Sequence, residues 1–410
     1  MAGIAAQIDP SAVGLDEARI ARITTHFDDH VTQGRLAGWQ CAVGRDGDVA
    51  WVGQGGHRVV EQDLPVEPDT IWRIYSMTKP ITSIAAMMCH EEGLFDLNDG
   101  VEKWLPEFAD PAVYVSGPPE APVTRPAATP ILVWHLLTHT AGLTYGFQRV
   151  HAVDAVYRHR GYEWGPRPAT DLAGAVIDYA GMPLLFDPGT AWNYSVATDV
   201  VGRLVEVWSG MPLDEFFATR IFAPLGMADT GFFCPEEDLA RLAELYLYVP
   251  GDTYRPAGPL SVGATRRPAC LSGGGGLVST AHDYHRFATM LLQGGALGDT
   301  RLVAPSTIGL MARNFLPGNA DIESMAQDSF AEVTMAGVGF GLGLSTVLDQ
   351  SRTKMPASEG TLSWGGAAST TFWVDPQEDL TCVFLTQLLP STSYAIRREL
   401  QRLVYQAVID

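Results

Sequence analysis

Residues 74–93 read IYSMTKPITSIAAMMCHEEG, and the reading of the whole chain turns on them. The stretch begins where a short strand signal, Thr70 to Ile74, ends. From Ser76 the pattern is helical: Ile81, Ile84, Ala85, Met88 and Cys89 share one face, and Gly93 supplies a stop. A proline is tolerated only near the first turn of a helix, so Pro80 places the helix start close to Ser76. Ser76 and Lys79 then stand one turn apart, where positions i and i+3 meet. A serine hydroxyl is a poor nucleophile without an adjacent base. A lysine can be that base when desolvation or a neighbouring cation lowers its pKa. The helix N-terminus adds N–H groups and a positive dipole end where negative charge develops.

The Ser-x-x-Lys pattern is weak by itself, and the chain holds a second copy at Ser351-Arg352-Thr353-Lys354. That copy runs into Met355-Pro356 with no apolar helical run behind it, which predicts a surface loop. Lysine is scarce: Lys79, Lys103 and Lys354 are the three among 27 basic residues.

Outward from the helix, the N-terminal side carries a helical pattern over 15–34, with Leu15, Ile20, Ile23 and Phe27 in step. A hairpin signal follows: Gly38–Val43 and Asp48–Gly53 flank a turn holding Asp46-Gly47. Residues 110–130 are proline-rich and read as an irregular excursion. Helical segments then dominate at about 131–140, 170–180, 196–209 and 213–222. Strand character returns with Gly339–Leu348, Thr361–Trp364, Thr370–Val374 and Leu380–Thr386. The last two are joined at 376–379, and a final amphipathic helix spans 392–408. Strands at both chain ends around a helical middle predict an α/β (α+β) protein with one antiparallel sheet built from both ends. The expected division is an α/β domain of 1–95 with 265–410 and a mainly helical domain of 96–264. The site is expected in the cleft between them. Loops around 110–130, 145–165 and 310–335 are expected to shape it. Ser272–Gly276 reads as a flexible loop. Glycines 337, 339, 341 and 343 suit a strand with close backbone contacts rather than a dinucleotide fingerprint.

Composition narrows the functions. Net charge is −20 over 410 residues, which disfavours nucleic acid and anionic membrane surfaces as partners. The five cysteines are dispersed without paired spacing, so neither a disulfide framework nor a zinc site is expected. No secretory leader and no membrane-spanning run are read in the sequence, so a cytoplasmic location is expected. His135 and His139 are four apart and could share a helix face, but Leu136 stands where a zinc hydrolase needs Glu, so they read as structural. His26 and His30 read the same way. No Gly-x-Ser-x-Gly elbow is present.

Further segments surround the Ser-x-x-Lys pair: Leu136–Leu143 with Thr138-His139-Thr140, Pro188–Ser195 with Trp192 and Tyr194, Ser272–Thr280, and Trp364-Gly365-Gly366. In order and spacing they resemble the penicillin-recognising serine hydrolases, and most of all the family VIII carboxylesterases related to class C β-lactamases. The resemblance spans roughly residues 15–405. It implies Tyr194 as the partner of Lys79 in proton transfer, at the first position of the Tyr-x-Asn motif. Val196 stands where that motif has Asn, the amide that holds a β-lactam side chain. Trp364-Gly365-Gly366 replaces Lys-Thr-Gly, exchanging a cation suited to a carboxylate for an apolar wall. The resemblance also implies an oxyanion hole from the N–H groups of Ser76 and Ala367. Tyr145 is expected to line the cleft.

The function so implied is hydrolysis of small, short-chain acyl esters through an acyl-enzyme on Ser76, with no metal or organic cofactor and an ester as the only partner. Three alternatives stand beside it: a β-lactamase or D-amino-acid peptidase, an acyltransferase, and a non-catalytic binding protein on the same fold. Oligomeric state is not legible.

Overall fold

A computed structural model describes residues 3–167, 169–251, 253–326 and 335–410. Part of the third expected pocket loop, 327–334, lies outside the described residues.

One eight-stranded sheet organises the molecule. Its strands are β1 (Gly38–Arg45), β2 (Asp48–Val59), β3 (Leu64–Pro65), β4 (Val338–Phe340), β5 (Ser345–Val347), β6 (Leu362–Gly365), β7 (Thr371–Asp375) and β8 (Leu380–Thr386), in the spatial order β4-β5-β6-β7-β8-β1-β2-β3. Every neighbouring pair is antiparallel, and β1 joins the two chain ends by pairing Cys41 with Phe384 and Ala42 with Val383. The expected sheet from both chain ends is present. Asp46 (φ 56°) and Gly47 (φ 87°) make the tight β1–β2 turn, as Asp-Gly predicted.

Helices cover both faces of the sheet. On one face, α1 (Arg22–Thr32) and α5 (Ile396–Tyr405) bury Ile23, Phe27, Ile396, Leu400 and Val404 against Trp39, Cys41, Phe384 and Trp373. On the other, α2 (Thr78–Glu91) and α4 (Ala281–Leu292) bury Ile81, Ile84, Tyr284 and Phe287 against Ala42, Val383, Phe372 and Val374. With both faces covered, all eight residues of β1 are buried, so that strand reads as a continuous run without alternation. The helix α3 (Ala197–Ser209) packs on α2 from the far side.

Four expectations are corrected. Residues 110–130 contain a hairpin, Ala112–Ser116 with Val123–Pro126, turned at Gly117 (φ 98°) and the adjacent prolines. A second hairpin in the helical middle, Tyr246–Val249 with Thr253–Pro256, pairs with Leu388–Leu389. Gly339–Leu348 is two strands, because the chain reverses over 341–344, where Gly343 takes φ 92°. A Cβ there would meet the Ser83 hydroxyl at 1.9 Å, and one at Gly341 would meet the Met311 carbonyl at 1.9 Å. Thr70–Ile74 contributes only Trp72–Arg73, which pairs with Val278–Ser279 outside the main sheet.

Candidate active site

Ser76 sits in a single 3₁₀ turn, Tyr75–Met77, that feeds directly into α2. Tyr75 holds φ 46°, a left-handed conformation that costs a bulky residue on the order of 1–3 kcal/mol. Several bonds fix this turn. The Tyr284 hydroxyl donates to the Met77 carbonyl at 2.8 Å, and the Ile74 N–H donates to Leu277 O at 3.1 Å. The Leu277 N–H donates to Thr78 Oγ1 at 3.2 Å.

Lys79 is 1% exposed and its side-chain nitrogen Nζ has three oxygen partners. These are Ser76 Oγ at 3.3 Å, Tyr145 Oη at 3.1 Å and the Gly274 carbonyl at 2.6 Å. The ring of Tyr194 lies 4.5 Å from Nζ, while the Tyr194 hydroxyl accepts from Trp364 Nε1 at 3.4 Å. The structure thus gathers Ser76, Lys79, Tyr145, Tyr194 and Trp364 at one place. It gives Tyr145, named in the sequence only as a cleft wall, the closer hydroxyl contact with Lys79. Burial, with Tyr194 and Asp199 nearby, holds the Tyr145 phenol well above its ordinary pKa, so it stays protonated.

Ser272–Gly276 is not a flexible loop. Asp199, buried on α3, accepts from Ser272 Oγ at 2.6 Å and from the Gly274 N–H at 2.9 Å, while Thr82 Oγ1 donates to Gly273 O at 2.7 Å. Glycine is required at 273, where a Cβ would meet Thr198 O at 2.9 Å. This clamp presents the Gly274 carbonyl to Lys79. Burial raises the Asp199 pKa against the opposing pull of Ser272, Gly274 and Lys79. Asp199 was missed in the sequence. Its signal was a lone carboxylate among Ala197, Val200, Val201 and Leu204, all buried.

His135 and His139 do not share a helix face, because the helix ends at Leu137 and His139 turns to φ 57°. The His139 ring nitrogen Nδ1 meets Ser195 Oγ at 3.0 Å and its carbonyl accepts the Asn193 N–H at 2.9 Å, which pins the segment carrying Tyr194. Burial, and then the neighbouring Lys79, hold this imidazole neutral, well below its ordinary 6.5. Gln148 Nε2 also donates to Tyr194 O at 2.6 Å.

The end of β6 brings Gly365, Gly366 and Ala367 beside the nucleophile turn. A Cβ on Gly366 would lie 2.4 Å from Ile74 O, so only glycine allows this approach. Ser76, Tyr194, Trp364, Gly365, Gly366 and Ala367 all border one cleft. Phe147, Trp192 and Ile322 add apolar wall, and no lysine lines it among the described residues. Tyr145, expected in the cleft wall, and Lys79 are not among the residues that border the cleft; both lie behind Ser76, joined to each other by the hydrogen bond at 3.1 Å.

Comparison with known proteins places the chain in a family. Residues 23–406 match the Beta-lactamase family. The chain is 35% identical to protein Rv1367c of Mycobacterium tuberculosis over 88% of each chain. It is 32% identical to esterase EstB of Burkholderia gladioli, over 93% of this chain and 94% of EstB. Among solved structures, EstCE1, described as a hydrolase with promiscuous acyltransferase activity, superposes with a TM-score of 0.78 at 29% identity. That match covers 96% of this chain and 98% of EstCE1. The chain belongs to the beta-lactamase family, on the side of the family VIII carboxylesterases that its motifs resemble.

Proposed function

We propose that the protein is a carboxylesterase that cleaves small, short-chain acyl esters through an acyl-enzyme on Ser76. The observation that carries this reading is the set of three oxygens around Lys79 Nζ. A neutral amine has two N–H groups and one lone pair. With the Gly274 carbonyl and the Tyr145 hydroxyl taking the two N–H groups, the lone pair faces Ser76 Oγ. Ser76 can then give its proton to Lys79 as it attacks the ester carbonyl. The tetrahedral oxyanion is received by the N–H groups of Ser76 and Ala367. Collapse expels the alcohol, which takes the proton from Lys79 through Tyr194. Water then attacks the acyl-enzyme, gives its proton to the same pair, and releases the acid and Ser76.

Trp364 at the third motif supports an ester over a carboxylate-bearing β-lactam, since the cleft offers an indole where a lysine would bind the carboxylate. The similarity to EstB points the same way. The cleft is proposed to lie between an α/β domain (1–95 with 265–410) and a mainly helical one (96–264). No helix of the described residues is long and apolar enough to cross a membrane. A cytoplasmic setting is proposed from the five free, buried cysteines. p-Nitrophenyl acetate and butyrate test the assignment: wild type should turn both over, and Ser76→Ala should leave only background. Substantial hydrolysis by the mutant overturns the reading.

Acyl transfer to an alcohol is the second reading, favoured by the match to EstCE1. The same acyl-enzyme serves both, and the partition between water and added alcohol in the product mixture separates them.

A further inference from the structure

His26 and His30 lie one turn apart on α1, and Glu399 on α5 reaches toward both from the other end of the chain. Each imidazole Nε2 meets the same carboxylate oxygen, Oε2, at 3.1 Å from His26 and 3.2 Å from His30. The three ligand-capable atoms all lie within 4.8 Å of one another. A tetrahedral zinc ion with bonds of about 2.0–2.2 Å holds its ligand atoms roughly 3.3–3.5 Å apart, close to the two spacings seen. His30 is buried, while the His26 and Glu399 side chains are 31% and 27% exposed, which leaves a side open to solvent. The rings of Phe27 and Tyr394 wall the inner side, at 5.1 Å from His26 and 5.8 Å from His30. None of the three residues lines the cleft.

We propose that His26, His30 and Glu399 form a binding site for a borderline divalent cation of the zinc, nickel or cobalt class, with water completing the coordination. Two imidazoles and one carboxylate suit that class. They are too few and too nitrogen-rich for calcium or magnesium, which take six or more oxygens, several of them often from water. The cation replaces hydrogen bonds to Oε2 with three ligand bonds and so ties the first long helix to the last. Affinity is limited by the outer shell. The His30 Nδ1 atom is buried and has no hydrogen-bond partner among the described residues, and a missing partner of that kind costs about 10–100-fold. A dissociation constant in the micromolar range is therefore expected.

The test is calorimetric titration of the untagged, chelator-dialysed full chain with zinc chloride, beside His26→Gln and Glu399→Gln. Cobalt(II) absorption in the visible reports the coordination. His26 is partly exposed, so His26→Gln is expected to fold, and ester turnover with circular dichroism confirms it. The expected result is one ion per chain in wild type, no saturable magnesium binding, and an affinity at least about tenfold weaker in both variants. The other imidazole–carboxylate pairs among the described residues, His57–Asp63, His159–Glu120 and His282–Asp283, offer only two ligands each and remain in both variants. Absence of saturable zinc binding below millimolar concentration overturns the proposal, and so does unchanged affinity in a folded His26→Gln protein.

Discussion

The chain contains the same four-residue pattern twice, in opposite surroundings. Ser76 sits in the turn that leads into a fourteen-residue helix buried along nearly its whole length, and Lys79 lies in the first turn of that helix. Ser351 lies inside a four-residue helix, Gln350–Thr353, at the surface, and Lys354 is the residue that ends it. Ser351 Oγ donates to Asp349 Oδ1 at 2.6 Å, so its hydroxyl is spent on the local cap. Lys354 has already left the helix at φ 55° and is exposed. Two side chains three positions apart make a reactive pair only if the helix continues far enough to aim them and the protein is thick enough to keep water off them. The surface reading of the second copy holds, although it is a helical turn and not a loop.

The sharpest way to break this contrast is to remove the buried amine. Lys79→Met should lower ester turnover by about 10⁴–10⁶-fold, because members of a catalytic unit fail together. Turnover of p-nitrophenyl butyrate under single-turnover conditions measures it. Retention of a tenth of wild-type activity would show that burial of Lys79 serves packing alone.

The two tyrosines divide next. Tyr194→Phe should cost about 10²–10⁴-fold in kcat, the range of a lost proton-transfer group. Tyr145→Phe removes one hydrogen-bond acceptor from Lys79 and should cost about tenfold, equivalent to a net bond of about 1–1.5 kcal/mol. Tyr145 holds the shorter contact with Lys79, but its phenol is held protonated by burial. A reversed order in kcat would make Tyr145 the proton carrier.

How much of this was readable beforehand follows from the same contrast. The sheet, its two ends and the helix after Ser76 announce themselves through periodicity and turn residues over many positions. Ser76, Lys79 and the Trp364 segment are recognisable by type and spacing. Asp199 and the Gly274 carbonyl are not. One is a carboxylate whose role depends on which loop folds over it, and the other is a backbone atom common to every residue. The 341–344 reversal was hidden for a related reason. Alternating glycines satisfy a strand and a turn equally well, and only contacts with Met311 and Ser83 decide between them.

Acid stability sharpens the contrast further. His135 and His285 are pushed down to about 4 by burial, and His139 lies well below its ordinary value for the same reason. The unfolded chain binds protons at these positions from about pH 6.5 downward, while the folded chain refuses them until near pH 4 at His135 and His285. Their contribution is complete above pH 6.5 and is lost as pH falls toward 4, by up to about 1.4 kcal/mol per pH unit for each residue. Asp349, beside the exposed copy, is also lowered, first by the Ser351 hydroxyl, but from 3.8, so it acts only at lower pH. Urea midpoints at pH 7, 6 and 5 should fall in sequence, and His285→Gln should flatten the slope. A flat profile in wild type would place these imidazoles in contact with water.

The smallest effects belong to the exposed copy, and there the expected signs differ from those at the buried one. Ser351→Ala should leave kcat/KM within about twofold and stability within about 0.5 kcal/mol, as for surface positions generally. The backbone N–H groups of Ser351 and Arg352 still donate to Asp349 after that change, at 2.8 and 3.2 Å, so the cap survives. Lys354→Gly should be neutral or stabilising by up to about 1 kcal/mol, because Lys354 occupies the left-handed position after a helix where glycine has no Cβ penalty. The corresponding change at Lys79 would abolish turnover. Thermal melts and ester assays on Lys354→Gly check both halves of the statement. A loss of activity there would mean that the surface copy communicates with the cleft through Thr353 and Met355, which also border it.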